Sequence, residues 1–225
     1  MERHFHDIYR EEFPFWEKLT ESEKNIICTS SRAVGYPKGT NIHNGSECTG
    51  VILVKKGCLR AYMLSESGKE ITLYRIYADE ICVMTASCAL HSITFDVFVD
   101  AEEDSECYLI SGPAFASVCE SNPYAKIFAL ELTANRFSDV MWVMQQILFM
   151  SFDKRLAIFL LDEIAKTGSD TVILTHEQIA KYMGSAREVV SRMLKYFSTE
   201  GIVEASRKGI RILDKKKLRE LALHS

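Results

Sequence analysis

The spacing of apolar residues changes character along this chain, and each change predicts a different kind of element. Up to about Ser31 the pattern is helical: in LTESEKNII, Thr20 is followed three residues later by Glu23, the spacing of a capping box, just before an apolar pair. From Val34 to Ile110 the texture becomes short runs rich in Val, Ile, Tyr and Thr: VILVKK, CLRAYML, EITLYRI, FDVFVDA and ECYLI. PKG, NGS, KKG, SESGKE and AEEDS separate them with turn chemistry, which predicts short antiparallel strands closed into a barrel or sandwich.

A third texture follows. NPYAKIFALELTANRFSDVMWVMQQILFM has no Gly, and its only Pro stands near the start, where the first turn of a helix tolerates it. The segment predicts one helix from about Pro123 to Phe149, about 40 Å long at roughly 1.5 Å per residue. Ile127, Leu130, Ala134, Phe137, Met141, Met144 and Leu148 recur along it at steps of three or four, as a packed seam does. A helix lying on its own barrel is one reading. A seam shared by two copies of the chain is the better one, because apolar residues are left over after one face has covered a barrel.

The last third repeats helix-start signals at short range. A helix from about Phe152 to Lys166 is expected to stop at Gly168, and SDTVILT supplies a short strand. Thr175 to Gln178 has capping-box spacing and predicts a helix to about Met183. Gly184 can take the positive φ of a sharp turn, and Ser185 to Glu188 repeats the capping-box spacing for a second helix. Two short helices about such a turn form a helix-turn-helix, whose second helix reads the DNA major groove. On that second helix Ala186, Val189, Val190, Met193, Leu194 and Phe197 form the apolar side. Arg187, Glu188, Ser191, Arg192 and Lys195 form a polar stripe, with Arg suited to guanine and Glu to the cytosine amino group. IVEA and IRILD flank Ser206-Arg207-Lys208-Gly209, which predicts a β-hairpin with a basic tip suited to phosphate.

Charge sharpens this division. Residues 151–225 hold 14 Lys and Arg against 10 Asp and Glu, whereas residues 1–150 hold 13 against 21. A basic module thus follows an acidic one, and basic modules favour polyanions. The domain boundary is expected near 149–153. No apolar run reaches the roughly 18 residues of a membrane span, and MERHFHDIYREEF lacks the apolar core of a secretory signal. A cytoplasmic protein with no membrane contact is expected. Its seven cysteines (28, 48, 58, 82, 88, 107 and 119) include no C-x-x-C, so reduced thiols are expected rather than a disulfide framework or a zinc knuckle. No G-x-S-x-G, P-loop or H-E-x-x-H occurs, so no catalytic residue is assigned and no enzyme is expected. His4, His6 and the Glu102-Glu103-Asp104 turn read as solvated, and His176 sits in the first turn of a helix.

Taken in order, strands, long helix and winged helix-turn-helix resemble the Crp/Fnr family of bacterial regulators over nearly the whole chain. KGTNIHNGS and VILVKKGCLRAYMLSESGKEITLYRI are similar to the family's barrel strands, and SAREVVSRMLKYFSTEGIV to its recognition helix. The resemblance implies an α+β fold: a jelly-roll-like antiparallel β-roll sensor (1–121), a dimerisation helix (122–150) and a winged helix-turn-helix (151–225). It implies a homodimer on double-stranded DNA with palindromic half-sites, and RNA polymerase as a partner. Arg187, Glu188 and Arg192 match the base-reading trio of the cyclic-AMP branch. Glu188, Ser191 and Arg192 match the E-x-x-S-R of the Fnr branch. Thr175, Ser185, Lys195, Arg207 and Lys208 complete the expected DNA-binding set.

The effector site departs from the pattern. Where the cyclic-nucleotide branch uses Gly-Glu, Arg-Ser or Arg-Thr and a polar pair on the long helix, this chain has Cys82-Val83, Ile93-Thr94 and Val140-Met141. A buried phosphate needs a cation and donors, so cyclic AMP is not the expected effector. Cys28 stands alone at its end of the chain, which does not support the Fnr iron–sulfur cluster. Cys82, Cys88 and His91 lie at the effector position, where four readings stand open: packed small hydrophobes, a thiol or redox switch, a haem or soft-metal site, and an apolar small molecule. Two rival functions are a cupin-like metal enzyme, for which only His43 and His91 lie among the strands, and a protein-interaction module.

Overall fold

The computed structural model describes residues 2–45, 48–83, 96–206 and 208–223. They group into two compact units, one of Met1–Leu64 with Leu73–Val140 and one of Ser65–Thr72 with Met141–Ser225.

The first unit opens with α1 (Glu2–Glu12), a 3-10 turn (Trp16–Lys18) and α2 (Glu21–Thr29). The capping box expected at Thr20 is formed in both directions, side chain to Glu23 amide and Glu23 carboxylate to Thr20 amide. Eight strands follow: β1 (Ser31–Tyr36), β2 (Asn41–Asn44), β3 (Val51–Lys56), β4 (Cys58–Leu64), β5 (Glu70–Tyr77), β6 (Ile81–Cys82), β7 (Phe98–Ala101) and β8 (Ser105–Ile110). They form two four-stranded sheets, ordered β1-β8-β3-β6 and β2-β7-β4-β5. That interleaving is the jelly-roll arrangement. The five strand runs seen in the pattern are present. β1, β2 and β6 are not announced by it: β1 alternates only weakly between half-buried and exposed positions, and its place is set by pairing with β8 from Ser31 opposite Ile110 to Tyr36 opposite Ser105.

Between the sheets, Ile52, Val54, Leu59, Ala61, Ile76 and Val99 are fully buried. A second cluster gathers Phe5, Tyr9, Phe13, Phe15 and Trp16 against Val51, Phe115, Ala125 and Ala129. Here α3 (Gly112–Ser121), which the pattern does not show, leads into α4 (Pro123–Phe149), whose bounds are as expected. Asn122 joins the two. Its Oδ1 accepts from the amides of Tyr124 (3.0 Å) and Ala125 (3.3 Å), capping α4, while its Nδ2 donates to Glu23 (3.1 Å) and to the Lys18 carbonyl (3.0 Å). The start of the long helix is thereby tied to α2.

The cysteines require a correction. Cys28, Cys58, Cys82, Cys107 and Cys119 are buried thiols outside any disulfide, but Cys48 is disulfide-bonded rather than reduced. A disulfide depends on the approach of two Cβ atoms in the fold, which spacing along the chain does not reveal. Burial pushes the Cys107 thiol up to about 12 and that of Cys119 to about 11, so both behave as packing groups.

The second unit contains α5 (Phe152–Thr167), β9 (Thr171–Val172), α6 (His176–Met183), α7 (Arg187–Thr199), β10 (Val203–Ser206), β11 (Gly209–Ile212) and α8 (Lys215–Leu223). Gly168 ends α5 in the left-handed region, as expected. The strands pair in the order β10-β11-β9. Leu156, Leu160, Ile179, Val190, Leu194, Phe197 and Leu218 are completely buried and give this unit its own core. α8 is another element the pattern does not show. No helix among the described residues is long and apolar enough to cross a membrane.

Candidate nucleic-acid interface

Local capping builds the helix pair. Thr175 Oγ1 accepts from the Gln178 amide (3.1 Å) and Gln178 Oε1 from the Thr175 amide (2.9 Å), fixing the start of α6. Gly184 ends α6 at φ +58°, a conformation that costs a β-carbon residue energy, and the Ser185 amide donates back to the Ala180 carbonyl at 2.9 Å. Arg155 of α5 also donates to the Met183 carbonyl.

The second capping box is a correction. Ser185 does not cap α7; Ala186 is the N-cap residue, without a side-chain bond, and the amides of Val189 and Val190 close on its carbonyl at 3.0 and 3.2 Å. The reason lies one turn earlier, because Ser185 already serves the C-cap of α6. Ala186 is accordingly exposed rather than part of the apolar side. The remaining faces sort as expected. Val190, Leu194 and Phe197 are fully buried, with Met193 packed against their cluster. Arg187, Glu188, Arg192 and Lys195 are exposed, and Ser191 is half-buried. None of the four charged side chains makes an ion pair or hydrogen bond among the described residues. Ser191 alone is engaged: its Oγ lies 2.8 Å from His176 Nδ1. The His176 contact was not legible in sequence, because the two residues meet only when the helices cross.

β10 and β11 form the wing, with Ser206 opposite Gly209 and Lys208 exposed at its tip. Arg207 lies outside the described residues. Thr175 is exposed and Ser185 half-buried.

The expected effector residues fall in several places. Cys82 and Val83 are both buried at 1% exposure. Val140 packs on the core between the sheets, whereas Met141 is exposed. Cys88, His91, Ile93 and Thr94 lie outside the described residues. Sequence reasoning missed the polar group beside Cys82. There the Arg136 guanidinium lies 4.8 Å from the Tyr74 ring centroid and bridges Asp139 (3.1 Å) and Glu80 (3.4 Å). Burial, then the neighbouring Cys82, raises the Tyr74 phenol well above its ordinary value. Among the described residues no group of three metal-ligating side chains occurs, and His43 is buried against Thr49 at 2.8 Å.

On α4, Ile127, Leu130, Phe137, Met141, Met144 and Leu148 are 43–65% exposed, and Ala134 is exposed with them. Ala125, Phe128, Ala129 and Leu132 pack on the α1 cluster instead. The helix therefore covers its own unit with one face and leaves the seam uncovered.

A jelly-roll unit, a long helix and a winged helix-turn-helix with an open polar stripe define a DNA-binding regulator of transcription. Comparison with known proteins agrees: residues 34–122 match the cyclic nucleotide-binding domain and residues 154–221 the Crp-like helix-turn-helix domain. The chain belongs to the Crp/Fnr family of transcription regulators, which are not enzymes. It is 44% identical to a solved structure of a proposed transcriptional regulator of that family from Eubacterium rectale, with TM-score 0.90, covering 94% of this chain and 99% of that one. It is 26% identical to flp of Lacticaseibacillus casei, described as a probable transcriptional regulator, over 93% of this chain and 95% of that protein. The cAMP-activated global regulator CRP of Haemophilus influenzae is 23% identical over 78% of this chain and 81% of its own length.

Proposed function

We propose that this regulator acts as a homodimer on a palindromic operator, reading bases with Arg187, Glu188, Ser191 and Arg192 and holding phosphates with Thr175, Ser185, Lys195, Arg207 and Lys208. One observation carries the reading: the charges of α7 stand exposed and without a partner among the described residues, while Val190, Leu194 and Phe197 on the opposite face of the same helix are completely buried. An amphipathic helix so anchored offers its polar edge to an outside partner, and Arg with Glu at a helix start suits base edges in the major groove. In this scheme 1–121 senses, 122–150 pairs the protomers and 151–225 reads DNA, all in the cytoplasm, with RNA polymerase as a further partner.

The uncovered seam of α4 supports the dimer. Exposed apolar residues at these steps are what a two-stranded helical interface buries. An effector acts near Cys82, Val83 and Val140 and re-aims the helix about 150–153, altering the separation of two recognition helices that must span about 34 Å. Cyclic AMP is disfavoured as that effector. Cys82 and Val83 offer no charge, and Arg136 is already bridged to Glu80 and Asp139.

Titration of the full-length protein with DNA at two salt concentrations, with sedimentation of the free and bound forms, tests this. Sequence-specific binding with a steep log-salt slope and a dimer mass is expected. Equal affinity for every duplex, or a monomer on DNA, would sink it.

A further inference from the structure

We infer that His176 is a positioning residue for DNA reading, its imidazole holding the Ser191 hydroxyl in place and biasing the hydrogen-bond polarity it offers the groove. The inference rests on the proposed reading of DNA by α7. Thr175 is the N-cap of α6, which makes His176 its first helical residue, and the ring reaches across to the second turn of α7. Nδ1 and Ser191 Oγ stand 2.8 Å apart although the residues are 15 positions apart in sequence.

A serine inside a helix ordinarily bonds back to the carbonyl four residues earlier. Its neighbours on the same helix do so: Ser198 Oγ donates to Leu194 O (2.9 Å) and Thr199 Oγ1 to Lys195 O (3.1 Å). Ser191 does not. Its hydroxyl meets His176 of α6 instead, within a stripe whose other members have no partner among the described residues.

The chemical consequence concerns discrimination. A free serine hydroxyl both donates and accepts, so it can contact any base edge. An imidazole nitrogen at hydrogen-bond distance narrows that choice, most when it accepts the serine hydrogen. When Nδ1 carries no proton it takes the serine hydrogen, and only lone pairs face the groove, suited to adenine N6 or cytosine N4. When Nδ1 carries a proton it donates to one Oγ lone pair, and the serine hydrogen is freed to face the groove beside the remaining lone pair, which adds thymine O4 or guanine O6 to what it can meet. In either state the second helix reads with the help of a residue on the first.

Selection of bound duplexes from a randomised double-stranded DNA pool, using the full-length protein at low salt, tests this. His176→Ala and Ser191→Ala are expected to flatten the base preference at the same position of each half-site, by about threefold to tenfold, the worth of one neutral hydrogen bond. The double variant should lose no more than Ser191→Ala alone. His176→Asn, whose amide reaches the Nδ1 position, should keep the preference, and His176→Gln, one bond longer, should lose it. This pair also decides the matter if His176→Ala does not fold. An unchanged base profile in Ser191→Ala, in His176→Ala or in His176→Gln would overturn the inference, as would an equal loss of affinity on all sequences. A pool from which the unaltered protein enriches nothing would overturn the DNA reading and this inference together.

Discussion

The two units treat their charges in opposite ways. In the jelly roll, Arg60 is 5% exposed, stacks 4.1 Å from the Tyr62 ring centroid and faces Asp100 (3.6 Å) and Glu102 (3.8 Å). Arg136 and Glu23 are likewise enclosed by partners of their own unit. On α7, Arg187, Glu188, Arg192 and Lys195 are exposed, with no such partner among the described residues. A charge that is buried must be compensated inside the fold, whereas a charge left open can be spent on a second molecule. Net charge follows the same line, with acidic residues in excess before residue 151 and basic residues after it.

The largest effect that could break this comparison is expected in the jelly roll. Arg60→Ala leaves Asp100 and Glu102 facing each other without their cation and should cost about 3 kcal/mol of stability. Denaturant unfolding of the variant measures this, and base preference of the folded fraction should be unchanged. A loss within the range of ordinary surface substitutions would show that Arg60 belongs with the open charges instead.

Next comes Arg192→Ala, expected to leave stability within about 0.5 kcal/mol of the parent. It should weaken operator binding by about 1–3 kcal/mol and relax preference at one base pair. Parallel titrations of operator and random duplex distinguish the outcomes: equal losses on both would reduce Arg192 to a phosphate contact.

The smallest effect is a pH dependence. Hydrogen bonds from the Thr20 amide first, then from Ser121 and Asn122, hold the Glu23 carboxyl below its ordinary value. A depressed folded value contributes stability that is fully present above the unfolded carboxyl value of about 4.3 and lost as pH falls through the folded one. Glu23→Gln should remove that part of the acid limb and lower stability at neutral pH. Melting curves from pH 7 to acid would show an unaltered limb if Glu23 were merely a surface charge.

Much of this architecture was legible in the residues. The bounds of α4, the boxes at Thr20 and Thr175, and the turns at Gly168 and Gly184 depend on neighbours within four positions, and there no other element competes for the capping residue. The stripe and buried face of α7 were likewise visible from period alone. What failed was non-local or contested. β1, β2 and β6 carry little alternation and become strands through their partners. Ser185 stood between two helices that could each use it, and the sharp turn after Met183 took it for α6.

The sequence by itself determined the order of modules, the long helix and the charged edge of its last helix pair, because periodicity and capping act through residues a few positions apart. Only the tertiary structure decided which charges found partners, that Cys48 joined a disulfide, and that His176 came within a hydrogen bond of Ser191. Those outcomes depend on groups distant in sequence being brought together by packing, and no local pattern records how close they will stand.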